Sequence, residues 1–483
     1  MTYELLIGGA WRAAGAGSYA VVNPATEETV GEAPEASVTD VQAAAAAARE
    51  AFPAWSRTPR EERARLLQAV ADRVRQRYDD LLPLIIAETG ATLAVGSKMQ
   101  VPMCASRFER YARGALQDLD VPLAPQAMDA TPLAPGGLMG ALAVRQPVGV
   151  AACITPYNFP ITNMAGKVAP ALAAGNTVVV KPAPQDPLSV LELGRVIDEV
   201  GFPPGVVNIV TGSGAEAGAA LVKSPDVDMV SFTGSTAVGV RIYESGAKTM
   251  KRLLLELGGK GACLVFDDAD LGGAVTALAS VWAFHSGQIC TAPTRAVVHR
   301  SVRDELVERL AKLAPQLKVG DPLDPATVVG PVISAAHRDR VEGLVRSGAE
   351  EGAEVVTGGS RPSYVERGWY VEPTLLVGTN EMQVAREEIF GPVIVVVPFD
   401  DDDEAVAIAN DSDYGLYDYV YTADTARAFR VAKQLRCGHV GINTAQRNME
   451  APFGGFKMSG IGRDGGDFGL HAYTELQSII WPG

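Results

Sequence analysis

The sequence predicts an α/β fold built of two α/β domains in succession, each with a parallel sheet. Three observations carry the α/β part: the length, an alternation of strand-like and helix-like segments, and the recurrence of that alternation after residue 259. At 483 residues the chain exceeds what one core serves, because single cores stop growing near roughly 250–300 residues. Short apolar runs at 148–154, 177–181, 206–211 and 229–232 read as strands, and segments 161–174, 188–199 and 236–246 read as helices. Strands separated by helices pair in parallel, with the helices covering the sheet faces. A second series starts near Gly259, with a helix at 271–284, a strand at 296–299 and a helix at 301–313.

The remaining elements follow local rules. The Ala-rich segment 41–52 reads as helix, as does 61–82, where Leu66, Leu67, Val70 and Val74 share a face. The acidic run 400–404 reads as a helix start, where carboxylates meet the positive end of the helix dipole. Segment 121–144 is rich in Pro, Gly and Ala with alternating apolar positions, and reads as a linker or as a hairpin that leaves its domain.

Composition excludes several function classes. The hydrophobic share of 47% and charged share of 20% are those of a globular protein. A formal net charge of −15 argues against nucleic acid or an anionic membrane as partner, because phosphate binding needs a basic stripe. No apolar stretch approaches the length of a bilayer span, and the N-terminus lacks a basic segment followed by a long apolar run. The five cysteines, Cys104, Cys153, Cys263, Cys290 and Cys437, are odd in number and scattered, with no CxxC pair. Neither a disulfide framework nor a metal site is expected, and a reducing, cytoplasmic location fits.

Four short motifs could carry chemistry, and each has a plain structural reading beside the functional one. In Gly287-Gln288-Ile289-Cys290-Thr291 the cysteine is a nucleophile or a buried packing residue. In Glu256-Leu257-Gly258-Gly259-Lys260 a glutamate precedes a glycine turn; it is a general base or an ordinary strand end. In Phe232-Thr233-Gly234-Ser235-Thr236-Ala237-Val238-Gly239 a strand turns into a helix whose free N–H groups suit a phosphate, although the spacing is not GxGxxG. In Thr155-Pro156-Tyr157-Asn158-Phe159-Pro160 the Asn either donates to a developing oxyanion or caps a turn, and Lys181 bonds ribose hydroxyls or is solvated.

Together, in this order, the motifs resemble the NAD(P)-dependent aldehyde dehydrogenase superfamily nearly end to end. The resemblance begins at Asn23-Pro24-Ala25-Thr26 and runs through Glu387-Glu388-Ile389-Phe390-Gly391-Pro392. It closes with Pro452-Phe453-Gly454-Gly455-Phe456-Lys457-Met458-Ser459-Gly460 and Ala472-Tyr473-Thr474-Glu475. It implies oxidation of an aldehyde to a carboxylic acid. Cys290 is the expected nucleophile, Asn158 and the Cys290 N–H the oxyanion donors, and Glu256 the base that hydrolyses a thioester. Glu256 favours hydrolysis over acyl transfer to coenzyme A; the alternatives are a CoA-acylating enzyme, a thiol esterase or a non-catalytic structural homologue.

The resemblance also implies a cofactor site of Thr155, Pro156, Lys181, Pro184, Gly214, Phe232, Gly234, Ser235, Gly239, Leu257, Gly258, Glu388 and Phe390. NAD is expected and NADP stays open, because the glutamate that many NAD-preferring relatives carry three residues after the lysine is Pro184 here. The implied substrate pocket comprises Phe159, Asn163, Gly166, Phe284, Ile289, Thr291 and Arg447. Gly166 stands where relatives selective for small apolar aldehydes often carry Trp, so a roomier, more polar pocket is expected, with Arg447 facing a polar or anionic tail or else solvent. His285 is expected to pack rather than pair with Cys290. The resemblance implies two Rossmann-like α/β domains, one for the cofactor and one for catalysis, plus a small β oligomerisation arm: 1–123 and 148–258 bind the cofactor, 259–440 carries catalysis, and 124–147 and 441–483 form an arm and bridge. An arm that pairs with a second subunit makes a homodimer or homotetramer.

Overall fold

The structure, a computed structural model, describes residues 3–482. Its first sheet has eight strands in the order Gly460–Ile461, Arg252–Glu256, Met229–Thr233, Val150–Ile154, Thr177–Lys181, Val207–Ile209, Leu5–Ile7 and Ala10–Arg12. The strands from Arg252–Glu256 to Val207–Ile209 are parallel; Gly460–Ile461 and Leu5–Ile7 pair antiparallel with the two ends of that set, and Ala10–Arg12 pairs antiparallel with Leu5–Ile7. Strands Val150–Ile154 and Thr177–Lys181 are buried throughout, as apolar strands covered on both faces must be. Helix Pro160–Ala174 is apolar over most of its surface and buried except at Asn163 and Ala174; Pro160 starts it and Gly175, at φ 95°, ends it in the left-handed region.

The second sheet has seven strands in the order Glu354–Thr357, Thr374–Val377, Val393–Phe399, Arg295–His299, Ala262–Val265, Tyr417–Tyr421 and His439–Ile442. All pairs are parallel except the first. Helix Asp402–Asn410 begins inside the acidic run: Asp401 accepts from the Glu404 N–H, and Asp402, Asp403 and Glu404 fill the first turn.

Segment 121–144 resolves into a hairpin. Strands Val121–Met128 and Gly137–Pro147 pair antiparallel, and Thr474–Pro482 completes a three-stranded sheet on the other side of Gly137–Pro147. It presents Leu123, Leu138, Leu476, Ile480 and Trp481 to solvent. One element differs from expectation. The single helix expected at 61–82 is two, Arg60–Gln76 and Tyr78–Thr89, broken at Arg77. No Gly or Pro marks that break. Tertiary contacts impose it, since Arg77 is tied to Asp80 and to Glu192 of a distant helix. Among the described residues no helix is long and apolar enough to cross a membrane.

A buried guanidinium locks the second sheet to its flanking loops. Arg295 donates to the carbonyls of Lys260 (3.1 Å), Ile408 (3.0 Å) and Ala409 (3.0 Å) and to Asn380 Oδ1 (2.8 Å). Removing it strands buried acceptors. Arg295→Ala is therefore expected to lower stability by about 3 kcal/mol, read as a shift in denaturant midpoint, with Arg295→Lys restoring only part because an ammonium lacks the planar fork. A midpoint equal to wild type would contradict this account.

Candidate active site

The parallel strands of the first sheet end together. Ile154 lies opposite Lys181, Phe232 opposite Ile154, and Thr233 opposite Glu256. The segments that follow these strands therefore line one edge, the edge at which open α/β sheets bind ligands. Hydrogen bonds join neighbouring turns: Thr155 N donates to Lys181 O (3.1 Å) and Gly234 N to Glu256 O (3.1 Å). The edge thus gathers Thr155, Pro156, Asn158, Lys181, Pro184, Gly234, Ser235, Glu256, Leu257 and Gly258.

Cys290 comes from the second sheet's connection between helix Leu271–Ala283 and strand Arg295–His299. It reaches Glu256 because the intervening backbones nearly touch. A side chain at Gly259 would run into the Cys290 carbonyl, and one at Gly258 into the Glu388 carboxylate. Residues 285–287 all hold positive φ, at 52°, 54° and 75°, which turns the chain sharply just ahead of the cysteine. On the other side, Asn158 Nδ2 donates to Gln288 O at 2.9 Å, and Asn163 Nδ2 donates to Asn158 Oδ1 at 3.3 Å. The Asn158 amide is thereby oriented, with a second N–H left to donate.

Electrostatics mark the same residues. Burial pushes the partly exposed Cys290 thiol up to about 12; the charges of Glu388 and Glu256 act in the same direction and Arg447 opposes them. Burial also raises Glu256 well above the usual carboxylate range; Asp464 adds to this, and Lys167, Arg463 and Arg447 oppose it. Neither Glu256 carboxylate oxygen has a hydrogen-bond partner among the described residues. A buried, unpartnered carboxylate is a strong proton acceptor when ionised. The His285 ring packs tilted against Phe159 with centroids 5.5 Å apart, and burial lowers its pKa to about 4, so it is a neutral packing group rather than a base for Cys290.

The residues expected to hold a dinucleotide fit that role geometrically. Helix Thr236–Gly246 starts at the exposed Ser235, whose side chain makes no cap hydrogen bond. A side chain at Gly234 would meet the Phe232 ring at 2.5 Å, and one at Gly239 would meet Leu257 at 2.5 Å, so the turn is kept bare. Thr155 Oγ1 is buried without a partner. Burial lowers the Lys181 amine to about 8, with Glu35 and Asp186 opposing the change. Glu388 accepts from Gly259 N at 3.0 Å, and burial raises it to about 7. Phe390 sits at φ 57° with its ring edge-on to Tyr157, and Gly214 is exposed just before helix Glu216–Lys223. No group of three or more His, Cys, Asp or Glu among the described residues is placed to hold a metal ion.

Of the residues expected in the substrate pocket, Phe159 and Phe284 pack with ring centroids 5.8 Å apart. Ile289 and Cys290 pack on the second sheet's core, and the Thr291 carbonyl accepts from Tyr419 Oη at 2.6 Å. Gly166 and Arg447 line a cavity of about 130 Å³ together with Arg107, Phe453 and Asp464. Cys290 is not among its walls, but Phe453, which is, packs against the same apolar cluster as Cys290 and carries the Arg447 guanidinium over its ring. The roomier pocket expected at Gly166 is corrected here. A side chain at Gly166 would strike Arg107 Nη1, so the space is filled by a guanidinium.

Sequence reasoning missed Arg107, Lys167 and Asp464. Lys167 is buried, donates to Ser231 Oγ at 3.2 Å, and acts on Glu256 by its charge. A lysine inside an otherwise apolar helix was a readable signal. Arg107 and Asp464 had none, because they join the site only through packing of the helix Val101–Ala115 and of the C-terminal segment.

The chain matches the aldehyde dehydrogenase family over residues 11–479. It is 42% identical to a 3-succinoylsemialdehyde-pyridine dehydrogenase of Pseudomonas sp., covering 99% of this chain and 98% of that one. It is 39% identical to a chloroplastic betaine aldehyde dehydrogenase of Beta vulgaris, covering 99% and 95%. An aldehyde dehydrogenase of Bacillus cereus in its NAD+ complex superposes with a TM-score of 0.93 at 36% identity, covering 100% of this chain and 97% of that one. A betaine aldehyde dehydrogenase of Staphylococcus aureus in complex with NAD+ gives 0.93 at 34% identity, covering 99% and 95%. With the expected motifs gathered at one sheet edge and similarity along the whole length, the chain belongs to the aldehyde dehydrogenase family.

Proposed function

We propose that the protein oxidises an aldehyde to its carboxylic acid by hydrolysis of a cysteine thioester, with NAD as electron acceptor. The observation that carries this reading is the convergence of Cys290, the oriented Asn158 amide and the unpartnered Glu256 at one edge. The Cys290 sulfur adds to the carbonyl carbon, and the Asn158 amide and Cys290 N–H hold the oxyanion. Glu256 is the base positioned to take the thiol proton and, later, a proton from the water that cleaves the thioester. The bound dinucleotide supplies the hydride acceptor. Lys181 and Glu388 would bond its riboses, the bare turn 234–239 its pyrophosphate, and Phe390 would pack by the nicotinamide. Pairing of this base with the nucleophile favours hydrolysis over transfer to coenzyme A.

For the wider molecule we assign 1–123 and 148–258 to cofactor binding, 259–440 to catalysis, and 124–147 with 441–483 to an arm and bridge. Apolar side chains exposed on the three-stranded sheet, among them Leu123, Ile480 and Trp481, support an arm that closes a homodimer or homotetramer. The scattered free cysteines support a cytoplasmic location.

Cofactor choice has a local basis. Pro184 offers no carboxylate to the ribose, but Glu35 does. It accepts from Ser213 N at 2.9 Å, just beyond the strand adjoining Lys181, and its charge acts on Lys181. A carboxylate there suits a ribose hydroxyl and repels a 2′-phosphate.

Reduced-cofactor absorbance with an aldehyde panel and no coenzyme A tests the reaction. Cys290→Ala is expected to abolish turnover, and wild-type turnover that requires coenzyme A would overturn the hydrolytic reading. Glu256→Gln is expected to lower steady-state turnover by about 10²–10⁴. Since only the ionised carboxylate is a base and burial raises its pKa, the acidic limb of the wild-type pH profile should lie above the usual carboxylate range and vanish in Glu256→Gln. Glu35→Gln is expected to raise the ratio of kcat/KM for NADP over NAD by about tenfold; an unchanged ratio would remove Glu35 from cofactor selection.

A further inference from the structure

The cavity beside the candidate site holds a charge arrangement that aldehyde oxidation alone does not require. Four arginines line it: Arg107, Arg110, Arg113 and Arg447. Two are neutralised by ion pairs. Arg110 bridges Glu450 and Asp467, and Arg113 pairs with Glu109. The other two enter no ion pair among the described residues. Arg107 donates one hydrogen bond, from Nη1 to the Thr162 carbonyl at 3.0 Å. Arg447 lies with its guanidinium carbon over the Phe453 ring, 4.0 Å from the centroid.

The acids nearby do not cancel this pair. Glu450 is committed to Arg110. Asp464 also lines the cavity, accepting from Gly465 N at 2.7 Å; one carboxylate whose charge also acts on the buried Lys167 offsets the two guanidiniums only in part. Two guanidiniums sharing one cavity repel each other, a standing cost that a bound anion would relieve. The backbone is shaped for the arrangement as well. Only glycine at 166 leaves room for the Arg107 guanidinium, and the Arg107 bond to Thr162 fixes it on the first turn of the helix that Asn158 precedes.

We propose that this cavity selects aldehydes bearing a carboxylate at the far end, with Arg107 and Arg447 clamping the carboxylate while the aldehyde carbon reaches Cys290. The proposal rests on the aldehyde oxidation described above and adds the substrate class. Planar guanidiniums match a carboxylate through paired N–H donors, which an alcohol or alkyl tail cannot use. A substrate lacking the anion leaves both cations uncompensated, so discrimination comes from both sides. Ammonium-bearing aldehydes are disfavoured by the same charges.

The test compares ω-oxo carboxylates of four to six carbons with neutral isosteres in which a branched alkyl end replaces the carboxylate, for instance 4-oxobutanoate against 4-methylpentanal. The full-length protein is assayed with NAD. Wild type is expected to favour the best oxo acid by about 30-fold or more in kcat/KM, mainly through KM, and to lose part of that preference as salt rises. Arg107→Ala is expected to collapse the ratio by about 30-fold, and Arg107→Lys to restore part of it. Gly166→Leu, which displaces the guanidinium without removing it, should collapse the ratio too. Wild-type turnover of the neutral isosteres equal to or better than every oxo acid would overturn the proposal while leaving aldehyde oxidation intact. So would an Arg107→Ala variant, folded by circular dichroism, that loses both substrates equally. Turnover of no aldehyde at all would instead sink the oxidation reading and the substrate class with it.

Discussion

Everything at the site depends on how closely two backbones approach between the sheets. Gly258 and Gly259 leave the end of strand Arg252–Glu256 and pass against the Glu388 carboxylate and the Cys290 carbonyl. A Cβ at either place would push the second sheet away from the first. Glu256, the last residue of its strand in the first sheet, would then move relative to Cys290, which the second sheet's connections supply. A second close approach acts in the same direction: a side chain at Gly287 would meet the Gly391 carbonyl. The contacts at Gly259 and Gly287 are with backbone carbonyls rather than flexible side chains, so little relaxation is available to them. The glycines beside the reacting groups thus set the spacing of the chemistry.

The fold was legible where periodicity and apolar runs are strong. Strand Thr177–Lys181 and helix Thr236–Gly246 have the bounds their patterns suggest, because each is an unbroken run bracketed by turn residues. Helix Arg60–Gln76 shows the limit. Its amphipathic pattern continues past Arg77, yet the chain bends there because Arg77 is held by charges distant in sequence. Local propensity cannot report such a contact. In the site, the motif residues were legible as a set because each stands at a strand end or a glycine turn. Residues that belong through packing alone were not. Arg107 is one charged residue among several on an amphipathic helix, and only folding puts it over Gly166. The absence of a side chain at Gly166 was read as space; it is better understood as room kept for a group from another helix.

The candidate reacting groups are costly to bury, and the surroundings share that cost unevenly. Desolvation raises Cys290, Glu256 and Glu388 together, so none is easily ionised beside the others. Cations are distributed around them accordingly. Lys167 acts on Glu256 from inside the first domain's core, and Arg447 acts on both Glu256 and Cys290 from the mouth. Lys167 is fixed by Ser231, which also receives the Tyr473 hydroxyl at 2.8 Å, so its position is set by the core. Arg447 is held by a ring face and remains open to solvent. The inner cation therefore offers a constant bias, while the outer one can be neutralised by what enters.

That difference couples recognition to reactivity. An anion bound at Arg447 would weaken the field that favours ionised Cys290 and Glu256. Arg107 limits this loss, because a carboxylate shared between two guanidiniums leaves more positive charge at the mouth than one paired with Arg447 alone. A lone arginine there would have to choose between holding the substrate tail and assisting the thiol. With two, the tail can be held while part of the field at Cys290 persists. Under the proposed carboxylate recognition, this would give Arg107 a role that its distance in sequence from every motif conceals.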